Sequence, residues 1–132
     1  MRFLFCLTVV ALIALSSPQT AVAQPGGDPD NGKDVYKVCR ACHQVGPGAK
    51  NGIGPILNGI VGRKAGTIAG FTYSEANTEA GAKGVVWTED NLLKYLENPA
   101  AFMPGNKMVF AGVKNESDRR DLIAYLKQQL EK

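Results

Sequence analysis

Apolar residues recur at helical spacing in three places along the chain. Val35, Val38 and Cys42 lie on one face of a segment from about Asp30 to Cys42, with Asp28 or Asp30 in position to cap its start. Leu92, Leu93 and Leu96 form the apolar side of a second helix. Thr88 is its N-cap, Glu89 and Asp90 suit its positive end, and Pro99 stops it. Leu122, Ile123, Leu126 and Leu130 mark a third helix that starts at Asn115 or Ser117. A short helical turn fits Ser74 to Ala80, closed by Gly81. No alternating run is long enough to predict a strand, so the chain reads as all-α. Val45 to Phe71 is rich in glycine and has no period. A loop of that length is unusual in a compact domain unless something packs beneath it.

The N-terminus follows a different pattern. Arg2 precedes a 13-residue apolar run from Phe3 to Leu15, and Ala21-Val22-Ala23 matches a small-x-small cleavage site. The run is shorter than the roughly 20 residues a spanning helix needs, which favours a cleaved secretory signal over an uncleaved anchor. Residues 1–23 therefore read as the signal and 24–132 as one mature domain, exported to the periplasm. Cleavage leaves 109 residues with a net charge of +2, and it removes Cys6. Gln24 to Asp28 reads as a frayed end.

At 132 residues, with 45% apolar and 20% charged residues, the chain has the composition of one globular domain. The 15 Gly and 7 Pro point to a loop-rich fold. A net charge of +3, spread along the whole chain, gives no concentrated basic face and argues against nucleic acid. Neither a Gly-rich phosphate loop nor an acidic calcium loop occurs. With a single His, no mechanism can draw on two His ligands from one chain.

The chemistry concentrates in Cys39-Arg40-Ala41-Cys42-His43. C-x-x-C-H is the attachment signature of c-type haem. Two thiols about one helical turn apart can form thioethers to the two vinyl groups on one porphyrin edge. The adjacent imidazole then faces the iron as proximal ligand. Three other readings compete. A structural zinc site needs four ligands, and the mature chain has only three Cys and His residues. A thioredoxin-like pair expects a βαβ pattern, which is not visible. The third is a chance occurrence in a core. If His43 is proximal, a sixth ligand must come from elsewhere. Met103 and Met108 are the soft ligands of the mature chain, both in Phe102–Phe110, and periodicity cannot choose between them.

These residues and several longer segments resemble the class I c-type cytochromes, of the soluble mitochondrial and alphaproteobacterial type. The segments are Gly62-Arg63-Lys64, Phe71 to Asn77, Tyr95 to Pro99, Pro104 to Lys114 and Asp121 to Leu126. The resemblance runs from about Asp30 to Glu131. It implies three main helices, a short helix and long loops wrapped around one covalently attached haem c. It implies that Cys39 and Cys42 attach the haem, that His43 and Met108 are the axial iron ligands, and that Met103 sits at a packing position. Pro55 is then expected to accept the imidazole N–H of His43. Arg63, Tyr73 and Trp87 are expected around a buried haem propionate, with Asn77 and Tyr95 near Met108 and Phe110 in the haem pocket. Gly32 and Tyr36 are expected to let the first helix cross the third against Tyr125. Taken without the resemblance, Trp87, Tyr95 and Tyr125 read as plain core aromatics.

The sequence also departs from the family. Asn106 stands where Thr is common. Ala100, Ala101 and Val38 replace lysines of the mitochondrial type, although Lys50, Lys107 and Lys114 remain. The linker Thr78 to Val86 is longer by a few residues. By resemblance the protein is a soluble, monomeric single-electron carrier and not an enzyme. Its implied donor is a cytochrome bc complex or a periplasmic dehydrogenase. A terminal oxidase or photosynthetic reaction centre is the implied acceptor. The rival class, a haem enzyme or gas sensor, needs an open sixth site. For peroxide chemistry it also needs a distal acid–base group, and the mature chain has no second His to supply one.

Overall fold

The computed structural model describes residues 26–130. The expected signal segment, its cleavage after Ala23 and the start of the N-terminal tail lie outside the described residues. The described residues form five α-helices and no strand: α1 (Pro29–Val35), α2 (Glu75–Ala82), α3 (Glu89–Glu97), α4 (Pro99–Phe102) and α5 (Glu116–Lys127). None of these helices is long and apolar enough to cross a membrane.

Local chemistry explains where each helix begins. The Asp28 carboxylate accepts from the Asp30 and Asn31 amides, Ser74 caps α2, Thr88 caps α3, and Asn115 accepts from Ser117 at the head of α5. Asp28 is also tied to the far end of the chain, because its amide donates to the Asp121 carboxylate at 2.6 Å. That contact corrects the expectation that the tail is frayed as far as Asp28.

The ends of the helices differ more from expectation. α1 stops at Val35 instead of Cys42, and a 3₁₀ turn (Tyr36–Val38) follows. From there the backbone tightens, with Cys39 N–H donating to Tyr36 O and Cys42 N–H to Cys39 O. The Tyr36 hydroxyl donates to the His43 carbonyl at 2.8 Å and holds this curl closed. Val38 is consequently 57% exposed instead of sharing a buried face with Val35. Pro99 ends α3 as expected but also opens α4, where its missing N–H costs nothing. Asn98 is the hinge between them, accepting from Ala101 N–H. Gly81 does not close α2. It is buried inside the helix, where a Cβ would stand 2.1 Å from the Ala65 carbonyl oxygen. Leu130 lies beyond the end of α5 and is 65% exposed.

The core forms where α1 and α3 pack against α5. Leu122, Ile123 and Leu126 of α5 meet Leu92, Tyr95 and Leu96 of α3, with Tyr36, Trp87 and Met103 filling in. Burying each Leu or Ile contributes about 1.5–3 kcal/mol. α1 reaches α5 through Gly32, where a Cβ would sit 1.9 Å from the Asp121 carbonyl oxygen. Beside it the Tyr36 and Tyr125 rings meet at 5.4 Å, tilted 45° to each other, so Tyr36 packs against Tyr125 as expected. The long loop from Val45 is gathered by a short antiparallel clasp. Gly62 N–H donates to Trp87 O, Trp87 N–H to Arg63 O, and Ala65 N–H to Val85 O. This clasp, preceded by the α2 turn, is the path of the longer linker.

Candidate cofactor site

Helices and loop together enclose a cavity of about 400 Å³. Its walls carry Cys39, Cys42, His43, Pro55, Arg63, Tyr73, Asn77, Trp87, Tyr95, Met108 and Phe110. Every residue expected at the site from the sequence therefore faces one space. Met103 does not line it. That side chain is 5% exposed and belongs to the α3–α5 core, so the structure separates two methionines that the sequence could not.

The curl after α1 presents Cys39, Cys42 and His43 in succession. Both thiols are free. The Cys39 thiol is pushed up to about 11, first by burial and then by Cys42. A reactive redox pair needs the opposite shift, toward thiolate.

His43 is held in one protonation pattern. Its Nδ1 lies 2.7 Å from the Pro55 carbonyl. A carbonyl can only accept, so Nδ1 carries the proton and Nε2 keeps its lone pair. Burial pushes the imidazole below its ordinary value, and the Pro55 hydrogen bond opposes that shift. Gly54 makes the close packing possible, because a Cβ there would stand 2.4 Å from the imidazole Cε1. A neutral imidazole with a fixed ring and a free Nε2 has the chemistry of a metal ligand.

Tyr95 on α3 donates from its hydroxyl to the Met108 sulfur at 3.3 Å. Burial pushes that phenol up to about 12, so it remains a donor across the neutral range. The Trp87 ring packs on Tyr95 at 4.8 Å and fixes its direction. Arg63 donates to the Ile56 and Asn58 carbonyls, which anchors a cation at the cavity wall. The Tyr73 hydroxyl accepts from Ile68 N–H. Asn77 Oδ1 is buried and finds no partner among the described residues. A buried carbonyl oxygen left alone carries a cost, and it marks a place for a polar group or water within the cavity.

Three contributors have no clear sequence signal. Asn58 is 7% exposed and ties its amide to both the N–H and C=O of Gly46, shaping the loop under His43. Gly54 is one of many glycines in a featureless stretch. Asn106, left without a role by the sequence, bonds three backbone groups around Met108. At the cavity mouth, Val38, Ile53 and Val109 are exposed, Val109 completely.

The residues fit a haem. Two thiols, a neutral imidazole and a thioether face one largely apolar space, with a cation and a lone buried oxygen on its wall. The sequence model of the Cytochrome c family matches residues 29–129. Cytochrome c2 of Rhodomicrobium vannielii is 49% identical over 120 residues, spanning 91% of this chain and 94% of that protein. Cytochrome c2 of Blastochloris viridis is 48% identical over 127 residues, spanning 96% and 92%. The solved structure of cytochrome c2 from Rhodospirillum centenum superposes with a TM-score of 0.76 at 44% identity, covering 80% of this chain and all of that one.

Proposed function

Because the chain belongs to the cytochrome c family, we propose that Cys39 and Cys42 anchor its haem while His43 and Met108 take the two axial positions. As a family member the chain carries one covalently attached haem c and is an electron-transfer protein, not an enzyme. The observation that carries the ligand reading is the pairing of two prepared donors on one cavity. His43 has its free Nε2 enforced by Pro55, and Met108 has its sulfur held by Tyr95.

Bound haem supplies one reversible electron between its ferrous and ferric states. The chain provides the rest. Pro55 keeps the His43 ring oriented and raises its basicity. The Tyr95 hydroxyl fixes the Met108 thioether, a soft neutral ligand that favours the reduced state. Leu57, Ile60, Leu92 and Leu126 exclude water from the walls, which penalises the more charged state. Arg63, Tyr73 and Trp87 would surround a haem propionate, Asn77 would add a polar contact, and Phe110 would close the pocket. Held by both His43 and Met108, the haem would leave no open site for substrate. Val38, Ile53 and Val109, exposed at the mouth, would meet the partner surface across which the electron moves.

The apolar run and Ala21-Val22-Ala23 support export to the periplasm with cleavage after Ala23. There the protein would work as a monomer in transient contacts. It would take electrons from a cytochrome bc complex or a dehydrogenase and deliver them to a terminal oxidase or a photosynthetic reaction centre.

An absorption spectrum of the exported protein, oxidised and reduced and then denatured in alkaline pyridine, tests this reading. The expected result is haem that stays on the chain, a low-spin spectrum and a weak ferric Met-to-iron band. A high-spin ferric spectrum would open the sixth site and overturn the Met108 assignment. A colourless protein from a host able to attach c-type haem would return Cys39 and Cys42 to thiol chemistry. N-terminal sequencing of the same material should begin at Gln24.

A further inference from the structure

We propose that Asn106 is the positioning residue that keeps Met108 at the cavity, acting through the backbone of the loop that carries it. The inference rests on Met108 being the sixth ligand. The Asn106 side chain uses its whole amide. Its Oδ1 accepts from Met108 N–H at 2.8 Å, and its Nδ2 donates to the Pro99 carbonyl at 2.9 Å and the Met103 carbonyl at 2.8 Å. These partners are the first residue of α4, the residue that caps its end, and the ligand residue itself.

The two carbonyls are fixed points. Pro99 is among the most fully buried side chains and Met103 is 5% exposed. Both carbonyls also accept within their own turn, from Met103 N–H and from Asn106 N–H. Asn106 therefore transfers the rigidity of the core to the Met108 amide, while Tyr95 holds the sulfur from the other side. The neighbouring backbone offers little else. Gly105 sits at φ 85° in an exposed turn, and Val109 is fully exposed. Lys107 contributes a bond from Nζ to the Thr72 carbonyl, across to another loop. Without the Asn106 amide, the Met108 backbone would depend on a surface lysine.

The test is a titration of the ferric, haem-loaded protein with imidazole, which competes with Met108 for the iron. The wild type must first show the low-spin spectrum and the Met-to-iron band. Their absence would sink the ligand reading and this inference with it. Given the band, Asn106→Ala should bind imidazole at least threefold more tightly and lose the band at lower pH. Asn98→Ala serves as the control, since it removes a bond within the same short helix without touching Met108. It should lower the thermal midpoint and leave imidazole affinity within threefold of wild type. A change of less than threefold in Asn106→Ala, or an equal change in Asn98→Ala, overturns the proposal. Should Asn106→Ala fail to fold, hydrogen exchange on the wild type decides. The Met108 amide should be protected, and exchange at the free-peptide rate would refute the bond.

Discussion

Two methionines five positions apart illustrate how placement decides a residue's work. Met108 faces the cavity beneath the Tyr95 hydroxyl, whereas Met103 is packed in the core. Truncating them should therefore fail in different currencies. If Met108 is the ligand proposed above, Met108→Ala should give a folded, coloured protein with a changed spin state and a lower potential, because a soft neutral ligand would be lost. Met103→Ala should keep the low-spin spectrum but lose about 2–5 kcal/mol of stability, the usual cost of emptying a core methionine site. Spectra and urea titrations of both variants check this, and the opposite pattern would move the ligand role to Met103. At this scale, what the sequence revealed depended on how local each role was. C-x-x-C-H is a fixed spacing and could be read directly. The Pro55 contact to His43 followed from family resemblance alone. The work of Asn106 was hidden, because an amide's partners depend on the turn around it. Asn58 and Gly54 were hidden for the same reason, since their partners come from other parts of a loop with no period.

Among the helices, starts were legible and ends were not. A cap acts within three residues, so Thr88 announces itself in the sequence, and the heads of α1 and α5 narrow to Asp28 or Asp30 and to Asn115 or Ser117, of which Asp28 and Asn115 are the caps. Ends are set by what the chain meets next. Gly81 resembles a stop signal, yet it stays inside α2 to let the helix touch Ala65. The first helix ends early because Tyr36 curls the chain toward His43. The α1–α5 crossing depends on a similar absence of side chain. Gly32→Ala would improve helix propensity, but it sets a Cβ against the Asp121 carbonyl. It should destabilise the protein by roughly 1–3 kcal/mol or more in urea unfolding, the cost of overpacking. At the head of α5, the Arg120 guanidinium holds the Glu116 carboxyl below its ordinary value, first by hydrogen bond and then by charge. A depressed carboxylate stabilises the fold above its unfolded value and loses that contribution as pH falls through the folded one. Glu116→Gln should thus melt slightly below wild type at neutral pH. The gap should close as pH falls through the depressed folded value, where Glu116 is itself protonated. A gap that persists in acid would assign the effect to helix propensity instead of charge.

For the molecule as a whole, the question is what steers it to a partner. The cavity mouth carries Val38, Ile53 and Val109, and Ala100 and Ala101 are exposed on α4. Three of these positions, Val38, Ala100 and Ala101, are those where the mitochondrial type carries lysine. Exposed lysines remain at 50, 107 and 114, and the Lys107 and Lys114 ammonium groups keep their charge while donating to backbone carbonyls. With apolar residues at Val38, Ala100 and Ala101, fewer charges guide encounter at the mouth, and contact there relies more on apolar burial. Salt screens charge over a Debye length of about 8–10 Å near physiological strength but leaves apolar contact almost untouched. Electrostatic steering governs on-rate more than the final fit. It follows that the second-order rate of electron exchange with the proposed partners, from a cytochrome bc complex or to a terminal oxidase, should fall by less than roughly tenfold between low and physiological ionic strength. Restoring charge should sharpen that dependence, so Ala100→Lys with Ala101→Lys should react faster at low salt and converge on wild type at high salt. Stopped-flow rates across a salt series would show it. A steep loss in the wild type would mean that the remaining lysines steer the encounter after all.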